Sequence, residues 1–420
     1  MAAGRVLVLG ADGFIGRHIV FALRAAGWEV IAQARRTGRL QAMGFRTLRA
    51  DLTDPACHDP AFWRPHLPSG AALVNAAGLL TGSESAFAAV HRAAPRAALA
   101  ALDGPAVLIS AVGIDAAATP FARWRRATEA LFAPHTILRP GLVLGETSYG
   151  GSSLLRAFAA LPWRLPVVGQ GDQPFNPIHA ADLADLVVDC LLSPPGPGPW
   201  EIGGPETLSQ AELALALRGW LGLAPVPVLR LPLPLARALG RVGEALRLGP
   251  VSATAVAQLQ AGVLADPAPL LSRLSRRPRP VAAFLAARPA GTQDLWQARL
   301  YLVKPLIRLV LGALWIASAA LGLLLSPGDF LPRSGTLLPE TLSIALARLG
   351  GLADLALGLA LLRDGRPRFI ARAQIALVLA YTAGLTLLAP ALWLDPFGAL
   401  LKNLPILALM IVHLILVEER

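Results

Sequence analysis

Gly10, Gly13 and Gly16 are the residues whose type and spacing point most directly to chemistry. They follow a short apolar run at 6–9 and open a helix near Phe14, within RVLVLGADGFIGRHI (5–19). A backbone without side chains turns tightly and can approach a pyrophosphate, which the partial positive charge of a helix N-terminus then holds. Strand, glycine turn, helix and second strand (29–34) are together the context a dinucleotide-binding motif requires. The second strand ends Gln33–Ala34–Arg35–Arg36. An NAD-preferring site usually sets an acid there against the adenosine ribose 2′-hydroxyl. Here two guanidiniums stand instead, and they suit a 2′-phosphate through bidentate, charge-assisted hydrogen bonds. NADP(H) is therefore expected over NAD(H). The alternative is that Arg35 and Arg36 belong to a scattered arginine surface.

Elements that could position these residues follow in βα order. Apolar runs at 6–9, 30–34, 47–50, 73–75, 107–110 and 136–139 alternate with helical stretches, which predicts an α/β fold with a doubly wound parallel sheet of the Rossmann type. From 146 to 225 the pattern is shorter and broken by Pro and Gly (SPPGPGPW, 193–200), as in a small substrate-side subdomain intercalated with the last strands. The expected divisions are 1–225 for the nucleotide-binding domain, 226–300 for a Pro- and Arg-rich helical extension and linker, and 301–420 for a membrane domain. The run SRLSRRPRP (272–280) is read as a solvated or headgroup-facing linker.

Composition narrows the class. The chain has 420 residues, two cysteines and a net charge of +11, and all but two of its 38 basic residues are arginine. Cys57 and Cys190 are far apart and form no disulfide framework or zinc pattern, and Cys57, His58 and His66 suggest no metal site. The arginines are scattered, which argues against nucleic acid as a partner. The first residues enter a strand directly, with no charged-then-apolar leader, so export of the first domain is not expected. Past residue 300, four apolar segments (305–325, 341–362, 369–389 and 397–417) each approach the ~20 residues that cross a hydrocarbon core. Arg299, Lys304, Arg308, Arg363, Arg366, Arg368, Arg372 and Arg420 fall on one side, against Arg333 and Lys402 on the other. That bias predicts four spans in a prokaryotic inner membrane with both termini cytoplasmic.

With these motifs in view, the soluble part resembles an atypical short-chain dehydrogenase/reductase of the extended type, similar to the NAD(P)-binding accessory subunit of respiratory complex I. The residues that carry the resemblance are GADGFIGRHI (10–19), ADL (50–52), NAAG (75–78), SAVG (110–113), RPGLVLGE (139–146), NPIHAADLAD (176–185) and GGPETLSQAEL (203–213). Residues 300–420 resemble the four-helix DoxX-like membrane domain. The resemblance implies that Gly10, Asp12, Gly13, Phe14, Ile15 and Gly16 hold the pyrophosphate. Asp51 and Leu52 would meet the adenine, with its amino group on the carboxylate and its face on the apolar chain. Asn75, Ala76, Ala77 and Gly78 would end a central strand where small residues let the ribose approach, and Pro140 would belong to the cofactor site. Asp51 could equally be a turn residue, and Asn75 a strand-end cap.

The family's catalytic pattern breaks at one place. Its reductases move protons with a Tyr-x-x-x-Lys pair, and the corresponding window reads TPFARWRRATEALF (119–132), with Phe121 and Arg125 at the two positions. Phenylalanine has no proton to give, and a guanidinium with a pKa above ~12 does not shuttle one. No lysine precedes Lys304, and Tyr149 is the one tyrosine before residue 301. Arg125 could still bind ribose hydroxyls or a phosphate. Ser110, at the family's serine position, could act on a substrate or simply end a strand. His179 with Asp182 could donate a proton or only pack, and Trp124 and Trp163 are expected to pack. Within the second apolar segment Arg348 could snorkel, while Asp354 suggests a functional group or a pair with His413, Lys402 or Arg372.

Three functions are compatible with these residues. One is an oxidoreductase passing reducing equivalents from NAD(P)H to a quinone or another lipid-soluble acceptor. The second is a nucleotide-binding scaffold or redox sensor of a membrane redox complex. The third is a reductase or isomerase of a membrane lipid or isoprenoid. No flavin, haem or iron–sulfur motif is present in the sequence.

Overall fold

The structure is a computed structural model that describes residues 4–146, 150–246, 248, 252–261, 263–334, 338–363 and 365–418. Tyr149 and Arg420 lie outside the described residues. The chain divides into two compact units, Met1–Ala298 and Arg299–Arg420.

The first unit is built on seven parallel strands: β1 (Arg5–Leu9), β2 (Glu29–Ala34), β3 (Arg46–Arg49), β4 (Ala72–Asn75), β5 (Ala106–Ile109), β6 (Thr136–Pro140) and β7 (Gly198–Ile202). Their order is β7-β6-β5-β4-β1-β2-β3. All six pairings are parallel. The apolar run of β1 explains why it sits at the centre. Val6 and Val8 enter one hydrophobic layer and Leu7 and Leu9 the other, so side chains of period two serve both faces. Chain order reverses where β1 lies between β4 and β2, and ligands of open α/β sheets bind in that crevice. Helix α1 (Phe14–Ala25) buries Gly16, Ile19, Val20 and Leu23. Helices α2 (Gly38–Ala42), α3 (Pro120–Leu131) and α4 (Ala180–Leu192) complete the frame used below.

A smaller lobe packs around Leu144, Leu155, Leu165, Phe175, Leu213 and Phe284. It contains short strand pairs, among them Leu165–Val168 with Val228–Leu231. The helix Gln210–Trp220 starts with a capping box, in which Ser209 and Glu212 satisfy each other's backbone N–H groups. Helix α5 (Leu233–Ala245) follows the last strand.

The basic run 272–280 is exposed at Arg273, Arg276 and Arg277 yet anchored to the fold. Arg276 pairs with Asp185 and Asp189, and Arg279 with Asp182. Arg273 lies over the Trp200 ring. The acids stand at i, i+3 and i+7 on one face of α4, so the run is strapped to that helix.

The second unit is helical. Helices α6 (Thr292–Leu324), α7 (Glu340–Arg363) and α8 (Pro367–Leu388) are long and apolar enough to cross a membrane. The fourth apolar segment forms only α9 (Asn403–Leu416), which has 14 residues. At 1.5 Å per residue that is about 21 Å, short of a ~30 Å core. A 3₁₀ turn at Pro390–Leu394 and a positive φ of 69° at Gly398 occupy the chain ahead of it. Proline and glycine there delay the helix that a hydropathy count starts at 397.

Asp354 is buried in α7 and does not meet the cations expected for it. Its carboxylate accepts from Ser318 Oγ at 2.6 Å and Tyr381 Oη at 2.9 Å. Arg348 donates to the Gly322 and Leu325 carbonyls, which satisfies the C-terminal end of α6.

Candidate functional site

The glycine turn is fixed by close backbone approach. Gly10 has φ +72°, and a Cβ there would stand 2.7 Å from the Ala77 Cα. A Cβ on Gly16 would stand 2.2 Å from the Gly10 carbonyl oxygen. The turn therefore nests against Ala76–Ala77 at the end of β4, which brings two sequence-predicted segments together. Gly13 ends the turn at the N-cap of α1, where no side chain caps the helix and no acid occupies its first turn. Its leading N–H groups have no intrahelical acceptor, which is the condition for holding an anion. Asp12 lies 3.5 Å from Arg39 of α2. The Phe14 ring packs on Gly145, within 3.1 Å of where a Cβ would be.

Gln33 is a residue that sequence reasoning passed over. Fully buried at the end of β2, it accepts from the Gly10 N–H at 2.9 Å and donates to the Ala50 carbonyl at 2.7 Å. It thereby ties the ends of β1, β2 and β3. At the end of β4, Asn75 Oδ1 accepts from the Ala77 N–H while the buried Nδ2 has no partner among the described residues. A buried donor with nothing to bond is costly and fits a ligand oxygen. An uncapped helix, a glycine cradle and an orphan donor at one strand edge fit a dinucleotide.

Beyond β2 and β3 lies a cavity of about 350 Å³ lined by Arg35, Arg49, Ala50, Asp51, Asp54, Ala56, Cys57 and Phe62. Asp51 holds an Asx turn, with Oδ1 accepting from the Thr53 N–H and Oγ1. Its carboxyl is lowered by those bonds, chiefly the backbone one, with Arg35 adding to the effect. Burial raises the Cys57 thiol to about 11, so it stays protonated. Two expectations change here. Leu52 turns into the core beside Trp63, so the apolar wall of the cavity is Phe62. Arg36 is exposed outside the cavity lining, and the second guanidinium on the cavity is Arg49, at the end of β3. Arg49 was missed because one strand separates it from the motif that reads β2.

At the other end of the crevice the polar groups are engaged with one another. Ser110 Oγ donates to Glu129 Oε1 at 2.5 Å. Glu129 also accepts from Arg139 Nε at 2.8 Å and from a terminal nitrogen of Arg139 at 2.6 Å. Arg139 reaches Asp115 as well, and the Glu129 bonds push its pKa above the ordinary arginine value. Arg125 is buried, and its Nε has no partner among the described residues. It donates to the Ala77 and Ile109 carbonyls at 3.3 and 3.2 Å, and its guanidinium fills the space a Cβ on Gly78 would take. Burial lowers its pKa to about 10, against the opposing pull of Glu129. Phe121 lies under this guanidinium, 5.4 Å from its centre, in a small apolar cluster with Ile114 and Ala117. His91 accepts from the Leu79 N–H, and burial, helped by Arg125, pushes it down to about 3. The Pro140 carbonyl accepts from the Val112 N–H.

His179 caps α4 by accepting from the Ala181 N–H, with its other nitrogen 3.5 Å from Glu146 and Phe284 beside its ring. Its bond lowers Glu146 to about 2. Trp124 donates to Glu84. Among the described residues no group of three or more His, Cys, Asp or Glu side chains could hold a metal ion.

Comparison with known proteins follows the same two-part division. Residues 6–89 match the NAD dependent epimerase/dehydratase family, and residues 312–411 match the DoxX-like family. No curated protein matches the chain. Among solved structures, Pal from Bacillus thuringiensis is 16% identical, with a TM-score of 0.51 over 72% of this chain and 99% of its own. A short-chain dehydrogenase/reductase superfamily protein from Agrobacterium tumefaciens, solved with bound NAD, is 15% identical, with a TM-score of 0.50 over 71% of this chain and 98% of its own. At such identities the likeness speaks for the fold alone.

Proposed function

Because the chain joins a Rossmann-type domain of the epimerase and short-chain dehydrogenase kind to a DoxX-like membrane domain, we propose that it is a membrane-held NADP(H)-binding protein whose site grips the dinucleotide without the family's proton-transfer pair. The observation that carries this reading is the contrast within the crevice. The uncapped α1 N-terminus and the Arg35–Arg49 cavity stay open to a ligand, while Ser110, Arg125 and Glu129 are bonded to the protein itself.

The nicotinamide, when bound, supplies a hydride. The N–H groups at the start of α1 would hold the pyrophosphate, Asn75 Nδ2 would meet a ribose oxygen, and Arg35 with Arg49 would hold a 2′-phosphate. Nothing at the family's tyrosine position can donate a proton, since Phe121 is a hydrocarbon. A nucleotide-binding scaffold or redox sensor needs no such donor, and this is the reading the geometry supports best. The DoxX-like domain favours a second one, hydride delivery to a quinone or other lipid-soluble acceptor that takes its proton from water. By the arginine bias the soluble unit faces the cytoplasm.

Calorimetric titration of the purified full chain with NADPH and NADH tests the reading. Tighter NADPH binding is expected, and equal dissociation constants would remove the preference. No affinity for either nucleotide at millimolar concentration would end the proposal. Tight binding without NADPH oxidation in the presence of a short-chain quinone supports the scaffold, whereas turnover supports the acceptor reading.

A further inference from the structure

Helix α5 turns the small residues Ala236, Gly240 and Gly243 inward. A Cβ on Gly240 would come within 2.9 Å of the Ser252–Ala253 backbone, so the helix is seated closely along that line. Beside it runs a second line of Leu235, Leu239, Val242 and Leu246, at i, i+4, i+7 and i+11. At 3.6 residues per turn these four fall within about 60° of one another. They are 46, 47, 53 and 41% exposed. One exposed leucine needs no explanation, but a continuous row of large apolar side chains marks an interaction surface.

Its surroundings say what kind. Arg237 and Arg241 stand exposed on the same helix, with Glu244 the one acid in it. The strand leading into α5, Val228–Leu231, exposes Leu229 and Arg230. That strand pairs with Leu165–Val168, which is entered through Trp163, 81% exposed, and the exposed Arg164. Trp163 is therefore not the packing residue its type suggests. Leucine and valine along one row, arginines on the opposite, polar side of the helix and an exposed tryptophan on the same lobe are the composition of a helix lying in a headgroup layer. A soluble partner would have to find this surface by diffusion, whereas a chain that carries its own membrane helices keeps a bilayer at high local concentration.

We propose that α5, with the Trp163–Arg164 turn, docks the first unit on the surface of a lipid bilayer. The Leu235–Leu246 row enters the acyl boundary, and Arg164, Arg230 and Arg241 sit among anionic headgroups. The basic run 272–280 takes no part, because Arg276 and Arg279 are paired with acids of α4 and Arg273 and Arg277 donate to backbone carbonyls.

The test uses the full chain in nanodiscs containing phosphatidylglycerol. A fluorophore is placed by L239C, or by R96C on the unrelated helix Ala94–Ala100, and the two native cysteines are buried. Acyl-chain spin-labelled lipid should quench the label at 239 several-fold more than the label at 96, with iodide doing the reverse. Adding L235D and V242D should abolish lipid quenching at 239 while NADPH affinity is retained, which shows the unit still folded. Equal quenching at 239 and 96 overturns the proposal. So does protection from iodide that comes without lipid quenching and grows with protein copies per disc, since a second copy would then cover the row.

Discussion

The two ends of the crevice in the first unit differ in what their charged side chains are doing. At the β2–β3 end, Arg35 and Arg49 line a cavity, and neither has a side-chain hydrogen bond or ion pair among the described residues. At the far end, Arg125 is tied to two strand carbonyls and Arg139 to Glu129 and Asp115. Both ends are rich in arginine, yet one leaves its cations exposed on a cavity and the other uses them to fasten strand ends and a helix. Charge content alone does not mark a site. What separates the two ends is that one holds exposed guanidiniums on an open cavity, while the other holds guanidiniums bonded to the protein.

Substitutions can break that contrast or sharpen it. The largest effect is expected from Gly16→Val, because a Cβ there meets the Gly10 carbonyl at 2.2 Å. Dinucleotide binding should vanish in calorimetry, with about 3 kcal/mol of strain. Next come Arg35→Ala and Arg49→Ala. Each should weaken NADPH binding by about 1.5–3 kcal/mol, the range for a hydrogen bond to a charged group, roughly 10- to 100-fold in Kd. NADH affinity should hold and Arg36→Ala should change little. An Arg36 effect as large as that of Arg49 would contradict the cavity assignment.

A third prediction concerns pH. His91 titrates near 3 in the fold and near 6.5 when unfolded. Between those values the unfolded chain binds the extra proton, so stability falls as pH drops below about 6.5, by up to roughly 1.4 kcal/mol per unit. Thermal unfolding at pH 7.5 and 5.5 should show this, and His91→Gln should flatten it. The smallest effect is expected from Ser110→Ala, about 1 kcal/mol of stability from the lost bond to Glu129, with NADPH affinity unchanged on titration. A large loss of turnover in that variant, should the protein oxidise NADPH, would return Ser110 to the reacting atoms.

Much of this fold was legible because it depends on local signals. The strand at 6–9 and the glycines after it are one continuous statement, and the structure extends that strand by a single residue to Arg5–Leu9. The six predicted strands are all present in the parallel sheet. Legibility ended where a role depends on a neighbour distant in sequence. Gln33 matters because Gly10 and Ala50 converge on it, and Arg49 because the β2–β3 register sets it opposite Ala34. Asp354 looked like half of an ion pair, yet its partners are hydroxyls on two other helices. That one nitrogen of Arg125 meets the Ala77 and Ile109 carbonyls likewise depends on strands distant in sequence.

The strand that carries Arg49 also ends the sheet. β3 is four residues long, with Arg46 and Arg49 at its two ends. A row of unpaired backbone groups invites another chain to add to it, and short strands flanked by cations discourage that. Arg49, which we propose meets the 2′-phosphate, is thus one of the two cations flanking this edge. Light scattering of Arg49→Ala should accompany its titration, so that a loss of cofactor affinity is not confused with the onset of aggregation.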